Sequence, residues 1–215
     1  MIKNMRRGLL AAALAVAVLA PSSPAQADEV TLMDAIAALP VAEEIREGYK
    51  RELYPHWKDD DKNGCSSRND VLIAEAIEAP TVGAGCTLTG GVWHSYYDDV
   101  MVSGPSGVDV DHMVPLAEVH DSGGYGWTTE RRRRYANDLG SEVTLVGVSA
   151  RSNRQKSDQD PSTWMPRAEV HCRYIGEWVV TKSRWGLSVD QAEREALFRY
   201  TADCPNARLV YEPAV

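Results

Sequence analysis

The fold turns on Gly107-Val108-Asp109-Val110-Asp111-His112-Met113-Val114-Pro115-Leu116 and on two later stretches, Glu142-Val143-Thr144-Leu145-Val146-Gly147-Val148 and Ser152-Asn153-Arg154-Gln155-Lys156. Valines alternate with polar residues in the first, which predicts a short strand delivering Asp111 and His112. The second, from about Glu142 to Val148, is apolar and β-branched and predicts a strand that pairs back. Ser152 then begins a turn or helix that carries Asn153 and Lys156. Neighbouring residues on a strand point to opposite sides, so Asp111 and His112 share one cleft only if the strand ends there and its backbone turns. A strand-strand-helix unit suits phosphodiester hydrolysis, which needs a base to activate water and a cation to meet charge on phosphate and leaving oxygen. Asp111 offers an anionic metal ligand, and His112, ordinarily titrating near neutrality, a base.

Upstream, Met33, Ile36 and Leu39, then Val41, Ile45 and Tyr49, predict two short core helices broken at Pro40. Asp59-Asp60-Asp61-Lys62-Asn63-Gly64 reads as a solvated turn, because the flanking helix and terminal Glu of a calcium loop fall out of register. Ser66 or Ser67 caps a helix with Val71, Leu72, Ala74, Ala76 and Ile77 inward. Cys86 to Val102 predicts a β-hairpin with Gly90-Gly91 between its strands and Tyr96-Tyr97 on a half-buried face. Thr128 caps a basic helix, Arg131-Arg132-Arg133-Arg134. Downstream, a helix with Val170, Cys172, Tyr174 and Trp178 and another from about Val189 to Asp203, with Ser188 and Gln191 at capping-box spacing, predict a helical hairpin. His120 is expected at the surface, and His56, His94 and His171 have no partners at ligand spacing.

Lys3, Arg6 and Arg7, the apolar run Gly8 to Ala20, and Ala25-Gln26-Ala27 follow the order of a secretory signal peptide. Residues 1–27 are therefore expected to be removed, and residues 28–215 to form one secreted, extracellular domain with no membrane anchor. Net charge is −8, and losing the three leader cations takes it to −11. Such a surface repels polyanions at long range, so nucleic acid has to be met by a local basic patch. Arg151, Arg154, Lys156 and Arg167, flanking Asn153, form the better candidate patch; Arg131 and its neighbours form the second. Cys65, Cys86, Cys172 and Cys204 all lie in the exported part, where thiols oxidise. Of three possible pairings, Cys65–Cys86 and Cys172–Cys204 are preferred, since each joins neighbouring elements and leaves the central segment free. No C-x-x-C knuckle supports a zinc site.

Gly64-Cys65-Ser66-Ser67-Arg68-Asn69, Asp109-Val110-Asp111-His112-Met113-Val114-Pro115-Leu116, Trp127, Asn153-x-x-Lys156 and Asp160-Pro161 together resemble the secreted bacterial HNH endonucleases, akin to the C-terminal domain of GmrSD-type restriction enzymes. The resemblance runs from roughly Tyr54 to Cys204. It implies an α+β fold with a ββα-metal (HNH) core over about residues 107–166, set in a helical scaffold with a β-hairpin and stapled by disulfides. It also implies a metal-dependent endonuclease acting on nucleic acid, DNA ahead of RNA. Asp111 takes the metal-ligand place, His112 the general-base place and Asn153 the closing, metal-binding position; oxygen donors point to magnesium first and manganese second. The middle position, an Asn that orients the base in the family pattern, is Thr144 here, so Thr144, or Asn137 in its stead, is expected to orient His112. Lys156 is expected to contact phosphate or to pair with Asp158 or Asp160. Arg68 is expected to stabilise the transition state or to form a helix-surface salt bridge. The rival reading is a secreted, non-catalytic module that binds nucleic acid or protein on the same scaffold. No H-E-x-x-H or G-x-S-x-G motif supports a peptide- or glycan-directed hydrolase.

Overall fold

The computed structural model describes residues 29–214, so the leader expected over residues 1–27 lies outside the described residues. β1 (Val30–Thr31) leads into α1 (Leu32–Ala38), capped by the Thr31 hydroxyl, which accepts the Asp34 N–H. Ser66 caps α2 (Ser67–Glu75) in the same way through Asn69 N–H. Small antiparallel pairs follow, β2 (Thr81–Val82) with β3 (Leu88–Thr89) and β4 (Val92–Ser95) with β5 (Val100–Ser103). β6 (Val108–His112) ends three residues before Pro115, and α3 (Leu116–Asp121) begins directly after that proline. Thr128 caps α4 (Thr129–Ala136). β7 (Leu145–Ser149) runs back along β6, and the Ser149 hydroxyl caps α5 (Ala150–Lys156) at its first turn. α6 (His171–Trp185) and α7 (Gln191–Thr201) form a helical hairpin, and β8 (Arg208–Leu209) returns to pair with β1. The class is α+β, and the disulfides are Cys65–Cys86 and Cys172–Cys204.

The β6–β7 pair separates two apolar cores. Val108, Val110 and Leu145 point into the smaller, against Val71 and Leu72 of α2, Leu88 and Trp93. Val146 and Val148 point into the larger, which holds Tyr97, Tyr135, Tyr174, Trp178 and Trp185. Register sets Asp111 opposite Val146 and His112 opposite Leu145. Paired residues share a face, so Asp111 falls on the larger-core face and His112 on the other. α6 closes the larger core with Tyr174, Ile175, Trp178 and Val179, all fully buried on one helical face.

Several elements depart from the sequence expectation for physical reasons. Residues 41–50 are not helical but form an extended strap. Ala42 N–H donates to Val189 O and Ile45 N–H to Asp121 O, and this tertiary pairing outweighs a thin apolar stripe whose Val41 and Ile45 stay exposed. The hairpin reverses at residues 96–99 rather than at Gly90-Gly91, which link β3 to β4; Ser95 Oγ donates to Asp98 across the reversal at 2.6 Å. Tyr96 and Tyr97 are buried rather than half-exposed. α7 is capped by Asp190, which accepts Glu193 N–H, because the Ser188 hydroxyl is engaged by Ser122 O. His120 is buried, with Nε2 3.1 Å from Glu47 O. No helix of the described residues is long and apolar enough to cross a membrane.

Cys172 and Cys204, 32 residues apart, clamp the α6–α7 hairpin that roofs the larger core. Replacing both with serine should lower unfolding stability by about 4 kcal/mol, the closure entropy of such a loop, read as a shift of the urea midpoint. An unchanged midpoint would mean that packing alone holds the hairpin.

Candidate active site

Burial dictates the chemistry at Asp111. Its carboxylate, 5% exposed, faces the larger core, where an unpaired charge is very costly. Two donors answer it on one oxygen: Lys156 Nζ at 2.6 Å and Tyr97 Oη at 2.7 Å, both on Oδ2. Lys156 Nζ also donates to His112 O at 3.0 Å and Met113 O at 2.9 Å. Three acceptors thus take the three protons of an ammonium. Burial pushes the Asp111 pKa up and the Lys156 pKa down, each opposed by the charge of the other. Asp111 Oδ1 has no protein hydrogen bond among the described residues, and Asp111 lines a cleft of about 340 Å³.

His112 sits on the opposite face, yet it also lines that cleft because β6 ends with it. Its ring stacks between Trp57, 5.1 Å away at 28°, and Tyr135, 6.0 Å away at 25°. Nε2 lies 3.0 Å from the Ala136 carbonyl oxygen. A carbonyl only accepts, so Nε2 carries the proton and Nδ1 keeps its lone pair. Burial lowers the His112 pKa to about 3, with the Ala136 carbonyl pulling the other way, so the ring is neutral at physiological pH.

From α5, Asn153 donates through Nδ2 to Asp109 Oδ2 at 3.2 Å, and its amide oxygen has no protein partner among the described residues. Asn153 and Arg154 line the same cleft; Arg154 is mostly exposed and 3.8 Å from Asp109. Tyr49 and Arg51, from the strap and the single turn after it, complete the wall with Asp158. Asp111 Oδ1 and the Asn153 amide oxygen are hard donors, few in number, which fits a divalent cation that keeps most of its water. The carboxylate triads Glu44–Asp160–Asp190 and Glu44–Glu118–Asp121 contribute no residue to this cleft.

Other sequence candidates are placed elsewhere. Lys156 has no proton left for phosphate and pairs with Asp111, not with Asp158 or Asp160. Arg68 does not line the cleft; it donates to Val108 O at 3.0 Å and braces the start of β6. Thr144 does not touch His112: its hydroxyl donates to Asp138 Oδ2 at 3.0 Å, while its carbonyl accepts Met113 N–H. Asn137 does not reach the ring either, but its amide spans Lys58 N, Pro55 O and Arg133 O and so fixes the segment bearing Trp57. Arg131 packs over Trp127 and Trp185 and donates to Trp185 O, and Arg167 pairs with Asp99 and Glu169. Arg151 is exposed on α5. Sequence reasoning missed Tyr97, Arg51 and the Ala136 carbonyl. A tyrosine at a hairpin reversal reads as core, and a backbone carbonyl carries no residue signature.

A family model described as GmrSD restriction endonucleases, C-terminal domain, matches residues 55–200. An uncharacterized secreted protein of Arthroderma benhamiae is 34% identical over 209 residues, covering 93% of this chain and 100% of that protein. No solved structure matches the chain.

Replacing Lys156 with methionine strands the Asp111 carboxylate and should cost about 3–5 kcal/mol of stability, measured by urea denaturation. A loss below about 1 kcal/mol would show that the pair is solvated and that Lys156 is not the brace described above.

Proposed function

This chain belongs to the family of GmrSD restriction endonuclease C-terminal domains, and on that premise we propose that it is a secreted, metal-dependent endonuclease that hydrolyses phosphodiester bonds, DNA ahead of RNA. β6, β7 and α5 are read as its ββα-metal core. The observation that carries the proposal is the fixed tautomer of His112, whose unprotonated Nδ1 belongs to a residue lining the same cleft as Asp111 and Asn153.

In this reading Asp111 Oδ1 and the Asn153 amide oxygen hold a divalent cation, magnesium first and manganese second. When bound, the ion supplies Lewis-acid stabilisation of charge on the phosphate and the leaving oxygen. His112 Nδ1 takes a proton from the attacking water. A bond forms from water oxygen to phosphorus as the bond from phosphorus to the leaving sugar oxygen breaks, and that oxygen takes a proton from solvent. Because the neutral ring is stacked between two aromatics, it enters the reaction already oriented. The Ala136 carbonyl does for His112 what the Asn of the family pattern is expected to do, and it stabilises the imidazolium that forms. Tyr97 and Lys156 hold Asp111 from the core side. Arg151 and Arg154 on α5 provide positive charge for the incoming strand in an otherwise acidic chain. Secretion is supported by the leader pattern, by the two disulfides and by the relative described as secreted.

Plasmid DNA and structured RNA, incubated with the oxidised protein, should be cleaved in magnesium and left intact in chelator. His112→Ala should lower the rate by at least about 100-fold with circular dichroism unchanged. Full activity in that variant would remove His112 as the base, and intact substrates with the parent protein under every metal would favour a binding module instead. Tyr97→Phe, which removes one hydrogen bond to Asp111, should reduce activity about tenfold at saturating metal and weaken metal affinity; no change in either would place Tyr97 outside the ligand's support.

A further inference from the structure

The strap of residues 41–50 lies outside the family-matched region, which starts at residue 55, yet it supplies part of the wall of the cleft. It is held at every few residues. Val41 bridges to Val189, Ala42 N–H donates to Val189 O, and Ile45 N–H donates to Asp121 O. Arg46 grips the buried Asp121 carboxylate through Nε at 2.8 and 2.7 Å and reaches Asp158 with Nη1 at 2.8 Å. Asp121 ends α3 and Asp158 follows α5, so one guanidinium ties two cleft-forming elements to the strap. Glu47 O accepts from the buried His120. Gly48, at φ 78°, makes the turn that directs Tyr49 and Arg51 toward the cleft. The backbone at Arg51 is then fixed by its carbonyl, which accepts Tyr54 N–H.

Arg51 is the cation that this arrangement delivers. It is exposed, makes no ion pair among the described residues, and lines the same cleft as His112 and Asp111. The other arginine of the cleft, Arg154, comes from a different element and is drawn toward Asp109. A guanidinium on a fixed backbone and without a carboxylate partner, in a cleft whose other charged residues are Asp111, Arg154 and Asp158, is suited to an anion brought by the substrate. We propose that Arg51 contacts a backbone phosphate of the bound nucleic acid, and that Arg46 is the positioning residue that holds the strap so that it can. The proposal rests on the nuclease reading for the identity of its substrate.

The test separates binding from cleavage. In a His112→Ala background, a fluorescein-labelled DNA duplex is titrated in magnesium at several salt concentrations and followed by anisotropy. Arg51→Ala should weaken binding about tenfold and flatten the plot of log affinity against log salt by about one, the signature of one lost phosphate contact. Arg51→Lys should keep the slope, and Arg208→Ala, exposed on β8, should change neither quantity. Arg46→Lys should weaken binding, and the added effect of Arg51→Ala in that variant should shrink, since both act on one contact. An Arg51→Ala protein with parental affinity and slope, or one whose loss of binding tracks a lowered thermal midpoint, would overturn the proposal. If the parent protein binds DNA but does not cut it, the catalytic reading falls while the slope still decides Arg51; if it does not bind at all, both fall.

Discussion

A buried ammonium sets the geometry around which the candidate site is assembled. Lys156, at the end of α5, reaches the end of β6 and is fully enclosed there by the Asp111 carboxylate and the carbonyls of His112 and Met113. It thereby satisfies two main-chain acceptors at the point where the strand turns away from its partner and can no longer pair them itself. The same contact fixes which oxygen of Asp111 is inward. In the low-dielectric interior neither charge can be given up cheaply, so the strand end is tied to the helix end.

The partition made by β6 and β7 explains how two side chains of opposite facing come to serve one cleft. Asp111 is presented from the larger core and His112 from between Trp57 at the smaller core and Tyr135 of the larger, and they converge because the strand stops. Their environments accordingly differ. Asp111 is surrounded by donors, whereas His112 is held by ring stacking and one carbonyl. A second enclosed cation, Lys182, between Glu118 and Glu193, joins α3, α6 and α7 and, like Lys156, lies over the Trp178 ring. The chain therefore places part of its charge inside, as struts between elements.

The sequence disclosed the strand-strand-helix order, the cleft-lining residues Asp111, His112 and Asn153, and both disulfide pairings, because each is written in local pattern: valine alternation, a proline stop, cysteines on adjacent elements. What it hid is what depends on distant chain. Pro40 and a weak stripe read as a second helix, but the pairing of the strap with Val189 and Asp121 is tertiary and has no local mark. Thr144 looked like the orienting residue by position in the pattern, whereas Asp138 claims its hydroxyl and Ala136 does the orienting through its backbone. Of the arginines read as a phosphate patch, Arg131 is taken up by two indoles and a carbonyl and Arg167 by two carboxylates, while Arg151 and Arg154 stay exposed on α5. A charged side chain in a sequence does not show whether its partner lies within the protein.

Both disulfides lie outside β6, β7 and α5, closing loops of the scaffold rather than the segment with Asp111, His112 and Asn153. Their contribution exists only where thiols are oxidised. Inside a reducing compartment the unfolded chain regains the freedom that the two cross-links remove, and the scaffold around the cleft is correspondingly looser. The rigidity of this protein is thus conditional on its redox surroundings: the same residues that meet as a firm cleft where the thiols are oxidised are held more slackly where they are reduced.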